Sequence, residues 1–223
     1  MRAVADRLER TGWTAPAAER LRFVLDFGVA TGLRAQELVA ATLGDIAADA
    51  RGMLWLEVTG KGAKPGRVAL PPLARDALRR ALKARGLPVR RTRWHPATPL
   101  VAALDTERSA AHPAGAGISA ARLRQVLGGF FQAAAESVDA RHPTLAAKLR
   151  HASPHWLRHT HATHALDAGV ELVVVRDNLR NASVATTSTY LHGEEAKRAR
   201  QVGAAFRRPQ RGSCRQYLPR PAR

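Results

Sequence analysis

Two residues three apart, His155 and Arg158, and a tyrosine further along the chain, Tyr190, are the groups here best suited to chemistry. On a helix, a spacing of three places His155 and Arg158 on one face, with His159 beside them at the next position. Ser153-Pro154 reads as the start of that helix, because serine caps free N–H groups and proline fits the first helical position. Gly169 reads as its stop. A second short helix is expected over Glu171–Leu179. Asn181, Ala182 and Ser183 then break the pattern, and Thr186 to His192 reads as a last helical turn or two carrying Tyr190, one of only two tyrosines. Arginine is a permanent cation with a forked set of donors that matches phosphate oxygens. A phenol with a normal pKa of about 10 becomes a nucleophile only beside cations or a base. The residues therefore read as a group that meets around one phosphate, with Tyr190 attacking it.

The elements that must position these groups follow from the rest of the chain. A helix is expected from Thr14, with Pro16 near its first position and Leu21, Val24, Leu25 and Val29 as its buried stripe, ending at Gly32. Leu33 and Arg34 open another short helix running to about Leu43. Met53 to Val58 alternates, with Leu54, Leu56 and Val58 on one face. A turn rich in glycine and proline follows, and Arg67 to Leu70 returns as a second strand. The hairpin tip carries Lys61 and Lys64. The next helix spans about Pro72 to Ala84, with Leu73, Ala77, Leu78 and Leu82 inward. Gly86 to Gly117 reads as a surface excursion around a small buried segment, Leu100 to Leu104, and holds the basic run Arg90-Arg91-Thr92-Arg93-Trp94-His95. A helix from Ser119 to about Ser137 buries Leu123, Val126, Leu127, Phe130 and Phe131, and His142 to Ala152 leads on to the HxxR helix. Glu194 to Phe206 is helical in composition. The fold class is thus mainly α with a small antiparallel β-sheet (α+β).

Charge is the strongest global signal. Thirty-six Lys+Arg against eighteen Asp+Glu leave a formal charge of +18 over 223 residues, a surplus that implies a polyanionic partner, most simply nucleic acid. No apolar run approaches the ~20 residues needed to span a bilayer, and the charged start MRAVADRLER is no secretory leader. The single cysteine, Cys214, excludes an internal disulfide framework and fits a reducing compartment. A cytoplasmic, nucleoid-associated location is expected, with no membrane role. His155, His159, His161 and His164 stand at spacings that can chelate, but no cysteine or carboxylate pattern flanks them; neither metal nor cofactor is expected. Taken singly, Arg34 reads as a surface salt-bridge partner of Glu37, Lys61 as a solvated turn lysine, and Trp94 and Trp156 as packing residues.

Taken together, ATGLRAQEL, VTGKGAKPGRVAL, SPHWLRHTHATHAL and TTSTYLHG, in this order, resemble the catalytic domain of the tyrosine recombinases, the phage integrase family. The resemblance covers roughly Thr14 to Phe206. It implies the tyrosine-recombinase catalytic-domain fold over 14–206, preceded by a linker or N-terminal extension (1–13) and followed by a basic tail (207–223), disordered when free. It also implies roles. Arg34 and Arg158 grip the scissile phosphate, where preorganised donors meet the charge that builds on the non-bridging oxygens. Tyr190 is the nucleophile and forms a 3′-phosphotyrosyl bond. Lys61 protonates the departing 5′-oxygen, His155 is the general acid/base, and Glu37 orients the first arginine. Lys64, Arg67, Arg91 and Arg93 are the expected contacts to double-stranded DNA, on which the resemblance implies a homotetramer.

There are two departures. The family carries a Leu-Gly-His run about nine residues before the tyrosine, whereas Leu179-Arg180-Asn181 stands here; Asn181 can donate a hydrogen bond to the phosphate but cannot shuttle a proton. The family also carries an N-terminal helical DNA-binding domain, and this chain starts close to its catalytic motifs, as expected of a fragment or a shortened member. The expected function is site-specific DNA cleavage and rejoining in integration of a mobile element. The alternatives are a catalytically impaired DNA-binding relative, a type IB topoisomerase-like relaxase, and a basic interaction module without a DNA role.

Overall fold

Helices supply the frame. The computed structural model describes residues 13–60, 64–104 and 115–181. The first described helix, α1 (Ala15–Thr31), starts beyond Thr14 with proline in its first turn and ends at Gly32 in the left-handed conformation (φ 65°). Then come α2 (Ala35–Ala40), a 3-10 turn at Leu43–Asp45, and strands β1 (Ile46–Ala48), β2 (Leu54–Thr59) and β3 (Pro65–Ala69). Helix α3 (Pro72–Ala84) follows. A second 3-10 turn lies at Arg91–Arg93, and α4 (Ala120–Val138), α5 (Pro143–Arg150), α6 (His155–Asp167) and α7 (Leu172–Leu179) come after it in the chain. No described helix is long and apolar enough to cross a membrane.

The sheet is antiparallel in the order β1-β2-β3, with Leu56 paired to both Ile46 and Val68. Leu56 and Val68 are fully buried, so one face of the sheet closes on the helices. Helix α1 is the hub: it packs against both α3 and α6, while α2 touches α4 and α7 reaches both α6 and β3. Leu21, Phe27, Phe130, Phe131 and Leu127 are all sealed from solvent, and each apolar side chain so buried contributes about 1.5–3 kcal/mol. Gly28 allows the α1–α6 approach, since a Cβ there would lie 3.0 Å from Leu157 Cδ1.

Most expected elements are present, with local corrections. Leu73 is exposed, not inward: the buried stripe of α3 is Ala74, Ala77, Leu78, Ala81 and Leu82, and Leu73 stands one position off it. In the expected buried segment, Leu100 and Val101 are buried but Leu104 is 40% exposed. Strand β1 escapes sequence reading because Ile-Ala-Ala is short and weakly β-prone. Helix α5 lies within what reads as a lead-in; Pro143 at its first position is the start signal that could have revealed it. The return strand begins at Pro65 rather than Arg67, a strand-edge position that proline tolerates. Pro154, rather than Ser153, is the N-cap of α6, so no side chain caps it; the Ser153 carbonyl accepts from Trp156 N–H at 2.9 Å. The expected segments 1–12, 186–192, 194–206 and 207–223 lie outside the described residues.

Candidate active site

The end of α1 and the two ends of α6 and α7 meet where the sequence placed its chemistry. Gly32 turns the chain sharply at the end of α1. Its position excludes a side chain twice over: its φ is 65°, and a Cβ would meet Leu179 Cδ2 at 2.6 Å and His161 Cδ2 at 2.8 Å. The turn presents the Gly32 carbonyl to Arg158, whose Nη1 donates to it at 2.8 Å. Arg158 is only 3% exposed. Its Nη2 donates to the Leu179 carbonyl and to Asn181 Oδ1 at 2.6 Å. Three oxygens from two distant segments thus fix the plane of one buried guanidinium.

Arg34, two residues past Gly32, is set differently. It caps α2, and Glu37 reaches back to accept from its backbone N–H at 2.7 Å, half of a capping box. The other carboxylate oxygen accepts from Arg34 Nη1 at 2.9 Å. The Glu37 side chain is 4% exposed and that of Arg34 41%. The ion pair anticipated from sequence is therefore present, and it leaves much of the Arg34 guanidinium facing outward. Glu37 has a second cationic partner, Arg180, whose Nη2 donates to Oε2 at 2.5 Å. Burial pushes the Glu37 carboxyl up, but the Arg180 hydrogen bond, the Arg34 N–H and the charge of Arg180 outweigh it and hold it below the usual carboxylate range.

His155 opens α6, one turn before Arg158. Partial burial lowers its pKa, and the positive charges of Arg158, His159 and Arg34 lower it further. Both arginines therefore act on one imidazole, which stays neutral, and able to accept a proton, to lower pH than a free histidine. His161, further along α6, faces inward. Its Nδ1 donates to the Val29 carbonyl at 2.9 Å, which leaves Nε2 to accept from Asn178 Nδ2 at 3.1 Å. Asn178 Oδ1 in turn accepts from Ala69 N–H at 3.2 Å. This relay ties α1, α6, α7 and β3 together behind the arginines, and both ring nitrogens are spent within it.

The structure brings Arg34, Glu37, His155, Arg158 and Asn181 into one neighbourhood. Lys61 and Tyr190 lie outside the described residues. Lys64 and Arg67 are exposed at and beside the start of β3, and the Arg67 guanidinium stacks 4.5 Å from the centroid of the Trp55 ring. Arg91 and Arg93 are exposed on their 3-10 turn. They do not join the cluster: Arg93 borders a different cleft, with Pro16, Glu19 and Phe23 from the first turns of α1. Trp94 and Trp156 pack against the core. Sequence reasoning missed Arg180 and the His161–Asn178 relay. Arg180 stood in the departing tripeptide, where attention fell on Asn181; a charged residue in place of the family's glycine was the available signal.

The phage integrase family model matches residues 2–197. The chain belongs to that family. It is 31% identical over 206 residues to a tyrosine recombinase XerC of Bifidobacterium longum, covering 92% of this chain and 52% of that one. It is 36% identical over 179 residues to a tyrosine recombinase XerD of Mycobacterium tuberculosis, covering 78% and 48%. The chain thus spans about half the length of the curated relatives it matches. Among solved structures, it resembles the XerH site-specific recombinase in a post-cleavage complex with its difH substrate (TM-score 0.59, 20% identity, 90% of this chain, 50% of that one). It also resembles the XerA recombinase (TM-score 0.56, 22% identity, 94% and 63%). At such identities the likeness is one of fold: mainly helical, with the small antiparallel sheet.

Proposed function

We propose that this chain carries the cleavage and rejoining chemistry of a site-specific DNA recombinase. The observation that carries the reading is the convergence of Arg34 and Arg158, 124 positions apart in sequence, through Gly32, Glu37 and the Leu179–Asn181 turn. Two guanidiniums held in this way match the two non-bridging oxygens of a phosphodiester. They stabilise the additional negative charge of a pentacoordinate transition state without needing to be oriented during the reaction.

The steps follow from that arrangement. The Tyr190 oxygen attacks phosphorus and its proton passes to a base, for which His155, kept neutral by partial burial and by its cationic neighbours, is the candidate. The O–P bond to tyrosine forms as the bond from phosphorus to the 5′-oxygen breaks. Lys61 supplies the proton that the 5′-oxygen takes up. The phosphodiester's energy is retained in the 3′-phosphotyrosyl bond, and the reverse sequence with a new 5′-hydroxyl reseals the strand. Asn181 has no titratable ring, so acid–base work rests on His155 and Lys61, while Asn181 holds Arg158.

The partner is double-stranded DNA, and a tetramer assembled on it belongs to the same reading, as does action at the nucleoid. Lys64, Arg67, Arg91 and Arg93 are assigned to phosphate contacts; neutralising each should lower the slope of log affinity against log salt by about one. The deciding experiment uses a nicked suicide duplex. Wild-type protein should accumulate a covalent DNA adduct, and Tyr190→Phe should bind the duplex and give none. Adducts that persist in Tyr190→Phe remove that residue from its role. A wild type that binds DNA without ever forming an adduct is the impaired relative instead.

A further inference from the structure

The turn that ends α7 contains an arginine with two unusual features. Arg180 adopts left-handed backbone angles (φ 53°, ψ 42°), and is the one non-glycine residue with positive φ among the described residues. L-residues other than Asn and Asp seldom take this conformation, because Cβ crowds the following carbonyl. Its side chain then crosses β3 at Gly66, where a Cβ would stand 2.5 Å from Arg180 Cδ. Its Nε is buried and has no hydrogen-bond partner among the described residues. Neither the backbone nor Nε is in its preferred state, so the position of this side chain is dictated by its far end, where Nη2 pairs with Glu37 and Nη1 donates to the Asn178 carbonyl at 3.4 Å.

We propose that Arg180 is a positioning residue that couples the two arginines of the site, an inference that rests on the cleavage chemistry proposed above. The left-handed turn at Arg180 lets two acceptors flanking it, the Leu179 carbonyl and Asn181 Oδ1, both face Arg158 Nη2. Its guanidinium occupies Glu37 Oε2, an oxygen already shared with the Arg34 backbone N–H. That occupation confines the Arg34 side chain to the other oxygen, Oε1, through a single nitrogen. Without Arg180, the Glu37 carboxylate is able to rotate and take the Arg34 fork by two donors, drawing it away from a phosphate. Gly66 is part of the device, because any side chain there displaces Arg180.

Three variants separate this role from mere support of the fold. Arg180→Gly removes the side chain and suits the turn. Arg180→Lys keeps the charge without the fork. Gly66→Ala leaves every charge in place and pushes the Arg180 side chain off its path. Single-turnover adduct formation on the suicide duplex is measured across acid and neutral pH, alongside DNA affinity, melting temperature and an NMR titration of the Glu37 carboxyl. In Arg180→Gly and Gly66→Ala, adduct formation should slow by about tenfold or more, since a misplacement of about 1 Å can cost on the order of 10²-fold, with DNA affinity unchanged. The acid limb of the rate profile should move to higher pH, the Glu37 carboxyl should titrate higher, and Arg180→Lys should recover part of the rate. Wild-type rates with an unchanged pH profile in Arg180→Gly overturn the proposal. So does slower cleavage that tracks a lower melting temperature with the Glu37 titration unmoved. If the wild type forms no adduct, the cleavage reading fails, and the Glu37 titration alone decides the coupling: raised in Arg180→Gly it stands, unchanged it falls.

Discussion

Arg34 and Arg158 stand in one neighbourhood but are fastened by opposite means. Arg34 is half-exposed and held by a carboxylate, Glu37. Arg158 is buried, and two of its acceptors are main-chain carbonyls, those of Gly32 and Leu179. A tether of charge responds to pH and to the number of cations sharing the carboxylate. A tether of carbonyls responds to the path of the backbone and is indifferent to modest acidification. The first arginine is therefore tuned by chemistry and the second by geometry.

Substitution should separate the two regimes. The largest effect is expected at Arg158→Lys. One ammonium cannot reach Gly32 O, Leu179 O and Asn181 together, so adduct formation on a suicide duplex should fall on the order of 10²–10³-fold, with a lower melting temperature from the stranded carbonyls. A rate close to wild type would remove geometry as the basis of this half. Gly32→Ala comes next. The left-handed φ and the clash with Leu179 and His161 should cost roughly 1–3 kcal/mol in urea unfolding, and cleavage should suffer beyond what stability explains, because the carbonyl that Arg158 uses must move.

Glu37→Gln tests the charge regime, with an expected loss of about tenfold in cleavage rate at undisturbed DNA binding. The sign of its pH dependence is fixed. The folded Glu37 carboxyl titrates below its unfolded value of about 4.3, so its contribution to stability is present above that value and is lost as pH falls through the folded one. Melting curves of wild type and Glu37→Gln should therefore converge as the solution is acidified through that range; parallel curves would deny the carboxylate its role.

His161 should give the smallest effect. Burial lowers its pKa, the Val29 carbonyl opposes this, and the charge of Arg158 adds to the lowering. The neutral ring is favoured by folding, so stability is intact above the unfolded value of about 6.5 and declines as pH falls through the folded one. His161→Gln should flatten that decline while costing about 1 kcal/mol at neutral pH through the relay. Urea midpoints at several pH values give the slope.

The sequence made the frame of this site legible, because its signals are local. Gly32 ended α1 as expected, Pro72 to Ala84 formed a helix over those same limits, and the spacing of His155 and Arg158 placed both on α6. What it hid was produced by packing. Nothing local says that Arg180 crosses to Glu37, 143 residues earlier, or that the Arg158 acceptors include two carbonyls, since main-chain oxygens leave no mark on residue identity. The same holds for the His161 relay, whose four participants come from four elements, and for Ile46–Ala48, which is a strand only because β2 pairs with it.

The carbonyl tether also bears on how this site tolerates change. A main-chain oxygen belongs to every amino acid, so exchanging Leu179 for another apolar residue of similar bulk leaves the Arg158 acceptor where it was. The aim of that guanidinium is inherited with the trajectory of the chain rather than spelled out letter by letter, and side chains around it are at liberty to drift so long as the two bends at Gly32 and Arg180 persist.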